Sequence, residues 1–294
     1  MIYCASEETY IEPRFAGTVG TSRLLFVPES YPASDPRSDF TTNISESAAD
    51  WPLPNYDHSS TRATFASKIN SGNVNQLTEA WTYELRDSGC GGYSCTGAAA
   101  TTPIVIDGTV YIGDLLTNVH ALNLETGNRR WMVTMDTRVI GPSGVVVGLG
   151  KVFANKRGRQ IAAYDLENGD ELWATSLGGH IYIQPTMADG KVLAATAGAG
   201  GPGSRGKLYA LDQETGDILW SFDTIESDDL WGHPEINSGG GTWYPPSVDI
   251  ANRVAYWGIS NPYPSRERSA IPPVQAGQET TNGPTQFSTS TPAS

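Results

Sequence analysis

The chain has 294 residues, 38% of them hydrophobic and 17% charged, with 32 Gly and 19 Pro, which suits a turn-rich all-β protein better than a helical one. A net charge of -13 argues against a nucleic-acid or anionic-membrane partner. No apolar run reaches bilayer-spanning length, and the opening MIYCASEETYIEPRF carries acidic residues and no apolar centre, so no signal peptide is read there.

Residues 1–47 are polar, rich in Ser, Thr and Pro, and without a sustained period of 2 or 3.6; they read as a poorly ordered leader. From Asp50 the character changes. Trp81, in LTEAWTYEL, reads as the end of a strand. Cys90 and Cys95 then flank GGYS in a glycine-rich loop, while Cys4 stands alone. The close pair fits a small loop disulfide of an oxidising compartment or two free thiols, and spacing does not choose between them. A zinc site lacks a second Cys or His pair at ligand spacing.

Beyond the cysteines, TPIVIDGTVYIGD, GVVVGLGKVFANK and PTMADGKVLAATA each show two short β-rich runs joined by a Gly-containing turn. Each is followed by one copy of a phrase: VHALNLETGNRRW, IAAYDLENGDELW and LYALDQETGDILW. Its fixed members are Ala121, Asn123, Thr126, Gly127 and Trp131; Ala163, Asp165, Asn168, Gly169 and Trp173; and Ala210, Asp212, Thr215, Gly216 and Trp220. Asp or Asn bonds the backbone two residues on, and Gly takes a turn position with φ > 0. The hairpin so formed delivers Trp to an outer strand, where its ring packs on the neighbouring unit. The Trp-to-Trp spacings of 42 and 47 residues are those of propeller blades. The expected unit is a four-stranded antiparallel sheet, and residues 48–264 hold about four of them. After Pro264 alternation stops and Ser, Thr, Pro and Gln dominate. Residues 265–294 read as a disordered tail or a stretch in a shifted reading frame, because the change falls inside a blade rather than between units.

These phrases, with DWPLPNYDHSSTR, INSGNVNQLTEAWTYEL and the run NSGGGTWYPPSVD to VAYWGISNPYP, resemble the quinoprotein dehydrogenases, eight-bladed propellers that use pyrroloquinoline quinone (PQQ), usually with calcium, to oxidise alcohols or sugars. The resemblance runs from about Asp50 to Pro264, roughly the first half of a family member. It implies that Trp243 forms the floor under the quinone plane, that Thr242 bonds the cofactor rim, and that Gly198 and Ala199 border the cofactor. Asn261 matches the family's amide ligand for calcium. It also implies a small alcohol or sugar substrate, a cytochrome or quinone as electron acceptor, and a periplasmic or extracellular setting. Three departures stand against it. Gly200 replaces the family's calcium-binding Glu. Ser143 and Gly144 stand where many members carry an adjacent cysteine pair. The catalytic Asp belongs to a later blade, so no catalytic residue is assigned. One identified oxygen donor is far from the 6–8 that calcium wants.

Other signals are weaker. Gly198, Gly200 and Gly203 spell a G-x-G-x-x-G, but KLYALD follows, a strand rather than the helix a dinucleotide site needs. Glu226, Asp228 and Asp229 read as a solvated loop. His58, His120 and His180 show no ligand spacing, and His233 is set apart only by leading into GGGTW. The leading reading is a quinone-dependent alcohol or sugar dehydrogenase, truncated and weakly active or inactive as this chain. The alternative is a non-catalytic propeller scaffold similar to the lipoprotein of outer-membrane protein assembly.

Overall fold

The computed structural model describes residues 23–26, 50–64, 67–91, 94–95, 97–157, 159–198, 204–225, 238–260 and 262–263. Strand β1 is Arg23–Phe26, and β2 (Cys90–Gly91) and β3 (Ser94–Cys95) form a small ribbon with Cys90 opposite Cys95. Three consecutive four-stranded antiparallel sheets follow: β4 (Ile104–Ile106) to β7 (Arg129–Val133) through β5 (Thr109–Gly113) and β6 (Val119–Asn123); β8 (Val145–Gly148) to β11 (Glu171–Ser176) through β9 (Lys151–Lys156) and β10 (Gln160–Asp165); and β12 (Thr186–Ala188) to β15 (Ile218–Asp223) through β13 (Lys191–Ala195) and β14 (Lys207–Asp212). β16 (Ser238–Gly239) pairs with β19 (Pro262–Tyr263), while β17 (Ser247–Asp249) and β18 (Val254–Trp257) begin a fourth sheet. The architecture is the expected all-β one, a partial propeller of four-stranded blades.

The third strand of the fourth sheet comes from the segment expected to be an unordered leader. β1 lies antiparallel on β18, with Arg23 opposite Trp257 and Phe26 opposite Val254.

Local chemistry explains the hairpins. Asp107-Gly108 and Asp189-Gly190 join the first two strands of their blades with φ of 47° and 69°, and 48° and 72°, the double positive φ of a type I′ turn. In the second blade Leu149 takes the same place at φ 50° before Gly150. The middle strands are buried on both faces, whereas the outer strands β7, β11 and β15 are largely open. The core is therefore a set of layers between blades. Tyr111, Ala121 and Trp131 meet Val152, Ala162 and Tyr164 in one layer. Phe153 and Ala163 meet Val192 and Leu211 in the next. Leu193 and Ala210 meet Val248, Ala255 and Trp257 in the third.

Each layer is fastened by the repeated phrase. The Asn123, Asp165 and Asp212 carboxyl or amide Oδ1 atoms accept backbone N–H bonds from the residues two and three further on, at 2.8–3.2 Å. The glycine four residues along closes the turn onto the same residue's carbonyl. The ring of the preceding Trp then lies on that glycine. A Cβ on Gly127 would stand 2.6 Å from Trp81, on Gly169 2.8 Å from Trp131, and on Gly216 2.5 Å from Trp173. Each indole N–H donates to the carbonyl following the Asx: Trp81 to Leu124 at 2.8 Å, Trp131 to Leu166 at 3.0 Å, Trp173 to Gln213 at 3.2 Å. Within each phrase Ala121, Ala163 and Ala210 stand opposite Trp131, Trp173 and Trp220, with a bulge directly after the alanine, which re-aims the strand toward its turn.

Trp81 makes this contact although residues 77–89, where a strand was expected, form none. Its segment is held by a buried polar chain instead: Tyr83 Oη lies 3.1 Å from His120 Nδ1, and His120 Nε2 lies 3.0 Å from Asp114 Oδ2. Burial alone would raise the Asp114 pKa, but hydrogen bonds from His120, Asn118 and Leu116 hold it below the usual carboxylate range. A second strap, residues 50–60, crosses the side-by-side inner strands. Trp51 pairs with Val105, Leu53 is buried between the second and third blades, His58 Nε2 lies 2.8 Å from the Met187 carbonyl, and the His58 carbonyl accepts the Val248 N–H.

Gly169→Ala puts a Cβ into the Trp131 ring at a positive φ and is expected to cost about 2 kcal/mol in a urea titration. Leu149→Asn relieves a β-turn strain that Asn tolerates and is expected to raise stability by about 1 kcal/mol in the same measurement.

Candidate functional site

The site is built where three backbones touch. Gly239 donates to the Gly198 carbonyl at 2.9 Å, Gly206 donates to the Gly239 carbonyl at 2.8 Å, and Ser260 donates to the Gly241 carbonyl at 2.8 Å. A Cβ on Gly241 would lie 1.8 Å from the Ala197 carbonyl oxygen, and one on Gly198, at φ +61°, 2.1 Å from the Gly239 oxygen. The run GGG of residues 239–241 therefore answers a packing demand: only glycine lets this segment thread between the ends of β13 and β14. Thr224 Oγ1, 2.8 Å from the Gly206 carbonyl and 2.6 Å from that of Gly240, pins the crossing.

What the crossing delivers is Thr242 and Trp243. Thr242 has no exposed surface, and its hydroxyl has no hydrogen-bond partner. A buried hydroxyl in that state costs roughly 1–3 kcal/mol, which a polar ligand group would recover. Trp243 is half-buried and heads a series of stacked rings. Its centroid lies 5.6 Å from that of Tyr182 at 29°, and Tyr182 lies 5.7 Å from His180 at 25°. Gly141 closes the edge, since a Cβ there would meet Trp243 and Tyr182 at 2.9 Å.

The electrostatics of the series are neutral. Burial, and then the Arg159 charge, lower the His180 pKa, so the imidazole stays neutral and its Nε2 lies 3.3 Å from the Arg159 guanidinium. Burial raises the Tyr182 pKa against the opposing pull of Arg159, which keeps its phenol protonated. Two residues beyond Tyr182, Gln184 ties three segments together. Its Nε2 donates to the Thr102 carbonyl at 3.0 Å and to the Val145 carbonyl at 2.8 Å, and its Oε1 accepts the Thr102 N–H at 3.2 Å.

Of the residues singled out in the sequence, the fold brings Trp243, Thr242 and Gly198 to one place. Ala199, Gly200, Gly203, Glu226, Asp228, Asp229, His233 and Asn261 lie outside the described residues. Ser143 is buried in the loop whose Gly141 abuts Trp243, and a side chain on Gly144 would lie 2.1 Å from Thr101 Oγ1. The second cysteine of the familiar pair would therefore have no room here. Among the described residues no group of three His, Cys, Asp or Glu side chains converges. A planar ring thus fits the aromatic and hydroxyl groups present, whereas no described donor set assembles a cation site, and no step is routed through a metal. Tyr182 was missed in the sequence, and His180 was read there only as a histidine without ligand spacing. Their signal is the alternation in GHIYIQP, which puts both rings on one side of an extended run.

Two family models match the chain. One, described as the β-propeller domain of glucose, ethanol and alcohol dehydrogenases, matches residues 51–144; the other, described as the outer membrane protein assembly factor BamB, matches residues 117–242. The quinohemoprotein alcohol dehydrogenase of Comamonas testosteroni is 30% identical over 207 residues, covering 65% of this chain and 28% of that protein. Subunit 1 of the cytochrome c methanol dehydrogenase of Methylorubrum extorquens is 25% identical over 306 residues, covering 86% of this chain and 47% of that one. The solved structure of quinohemoprotein alcohol dehydrogenase ADHIIG from Pseudomonas putida HK5 superposes with a TM-score of 0.65 at 25% identity, over 73% of this chain and 35% of the other. The chain thus spans less than half the length of these relatives.

With a folded pKa below the unfolded value of 6.5, His180 binds its proton more readily in the unfolded chain. Its contribution to stability is present above about pH 6.5, is lost as pH falls toward the lowered folded value, and is constant below it. Urea midpoints measured across pH 5–8 are expected to show this decline, and His180→Phe is expected to reduce it.

Proposed function

Since the chain carries PQQ-type β-propeller blades related to those of quinoprotein alcohol dehydrogenases, we propose that it supplies the quinone-bearing part of a dehydrogenase acting on a small alcohol or sugar. The observation that carries this reading is the half-buried Trp243, backed on one face by Tyr182 and followed back along the chain by the buried, unpaired Thr242 hydroxyl. Trp243 would hold the flat cofactor by stacking, the Thr242 hydroxyl would donate to its rim, and Gly198 and Ala199 would border it. When bound, PQQ supplies the two-electron acceptor for oxidation of the substrate carbon. The chain's own contribution is orientation: the glycine crossing sets the height of Trp243, and the neutral rings of Tyr182 and His180 keep its backing free of charge. Calcium, with Asn261 among its donors, a cytochrome or quinone as electron acceptor, and a periplasmic or extracellular setting complete the proposal. Among the described residues no helix is long and apolar enough to cross a membrane.

A second reading is the non-catalytic scaffold, favoured by the match of residues 117–242 to the assembly-factor model. PQQ titration with and without calcium, followed by tryptophan emission and quinone absorbance, separates the two. Saturable binding that Trp243→Ala weakens up to about tenfold, with Trp220→Phe unchanged, supports the dehydrogenase reading. Absence of binding by the unmutated chain overturns it and leaves the scaffold.

A further inference from the structure

Three tryptophans of the repeat type are docked alike, each ring on a glycine and each N–H on the carbonyl after an Asx. The fourth, Trp220, differs. Its ring packs on the layer formed by Val248, Ala255 and Trp257, but its indole N–H is buried without a partner. The strand register shows what is missing. In the three complete blades the residue opposite the first residue of the second strand is the Asx of the phrase: Asn123 opposite Thr109, Asp165 opposite Lys151, Asp212 opposite Lys191. In the fourth sheet that place, opposite Val254, is held by Phe26 of β1. The residue four positions on, where the others have glycine, is Ser30. β1 thus occupies the position of a third strand without the Asx and glycine that receive a tryptophan.

We propose that the β18 edge is a strand-exchange site, and that its partner is a strand–hairpin of a separate polypeptide carrying the phrase Ala-x-Asp/Asn-x-x-Thr/Asn-Gly-x-x-x-Trp, which displaces β1. Both strands offer β18 the same backbone ladder, so the ladder itself is nearly neutral in the exchange. The incoming hairpin adds what β1 lacks: a carbonyl for the Trp220 N–H and a glycine floor for its ring. A buried N–H that gains a partner favours the exchanged state, and adding a strand to a sheet edge is an established mode of peptide recognition. A second copy of this chain is a poor donor, because its hairpins at Gly127, Gly169 and Gly216 already hold Trp81, Trp131 and Trp173.

The test uses the full chain and a fluorescein-labelled peptide of its own third phrase, KLYALDQETGDILW (residues 207–220). A control peptide has alanine in place of the residues corresponding to Asp212 and Gly216. Anisotropy is expected to show saturable binding at least tenfold tighter for the native phrase, and hydrogen exchange to show Leu24–Phe26 losing protection while Ala255–Trp257 keep it. Trp220→Phe, which keeps a ring but loses the N–H, is expected to weaken binding about fivefold. Leu25→Pro, which removes a ladder donor from β1, is expected to tighten it. Equal binding of the two peptides, unchanged protection of β1, or no response to Leu25→Pro would each overturn the proposal. So would a dimer of the chain alone that the peptide dissolves, since it makes a second copy the partner.

Discussion

The indole of a tryptophan resting on a glycine in the next blade is the contact on which this structure depends. A propeller blade has its apolar faces turned to its neighbours, so no blade is stable by itself and every layer needs a partner in register. The hook supplies that register. The Asx oxygen shapes the turn, the glycine removes the one Cβ that would collide with the ring, and the exposed carbonyl accepts the indole N–H. A bulge after the buried alanine brings the turn to the ring in all three phrases. The pieces are interdependent: without the Asx the turn has another shape, and without the glycine the ring has no seat.

Fixing the outer rim also fixes the inner one. Because the strands run straight through each blade, layers held in register outside hold β4, β8 and β12 side by side within, and the strap of residues 50–60 runs over them. The glycine crossing at 239–241 sits at the ends of β13 and β14, where three backbones approach more closely than any side chain would allow. The crossing that leads into Trp243 is held by main-chain hydrogen bonds and by the Thr224 hydroxyl, and the rings of Tyr182 and His180 complete the site from a different segment.

The site mixes a strong aromatic signal with a sparse polar one. Stacked neutral rings beside a buried, unpaired hydroxyl suit a flat, polar-edged ligand better than a cation. The related dehydrogenases and the assembly-factor model both match the blades, and the blades are what the two share. The distinction between a dehydrogenase and a scaffold therefore rests on the few residues around Trp243 rather than on the propeller.

The blades could be read directly from the chain, because the docking phrase is local: thirteen residues contain the Asx turn, the glycine and the hook, and the type I′ turns at Asp107-Gly108 and Asp189-Gly190 are dipeptide signals. Trp243, Thr242 and Gly198 could be named only through a resemblance, and their meeting could not be read at all, since it depends on a backbone crossing between residues about forty apart. Three matters were decided by tertiary structure alone. Trp81 hooks without a strand, because a buried Tyr83–His120–Asp114 chain holds its segment. Tyr182 and His180 back Trp243, because the blade packing brings an extended run beneath it. β1 takes the edge of β18, because an unpaired edge accepts any strand with free backbone groups, and backbone pairing leaves almost no mark on the sequence that supplies it.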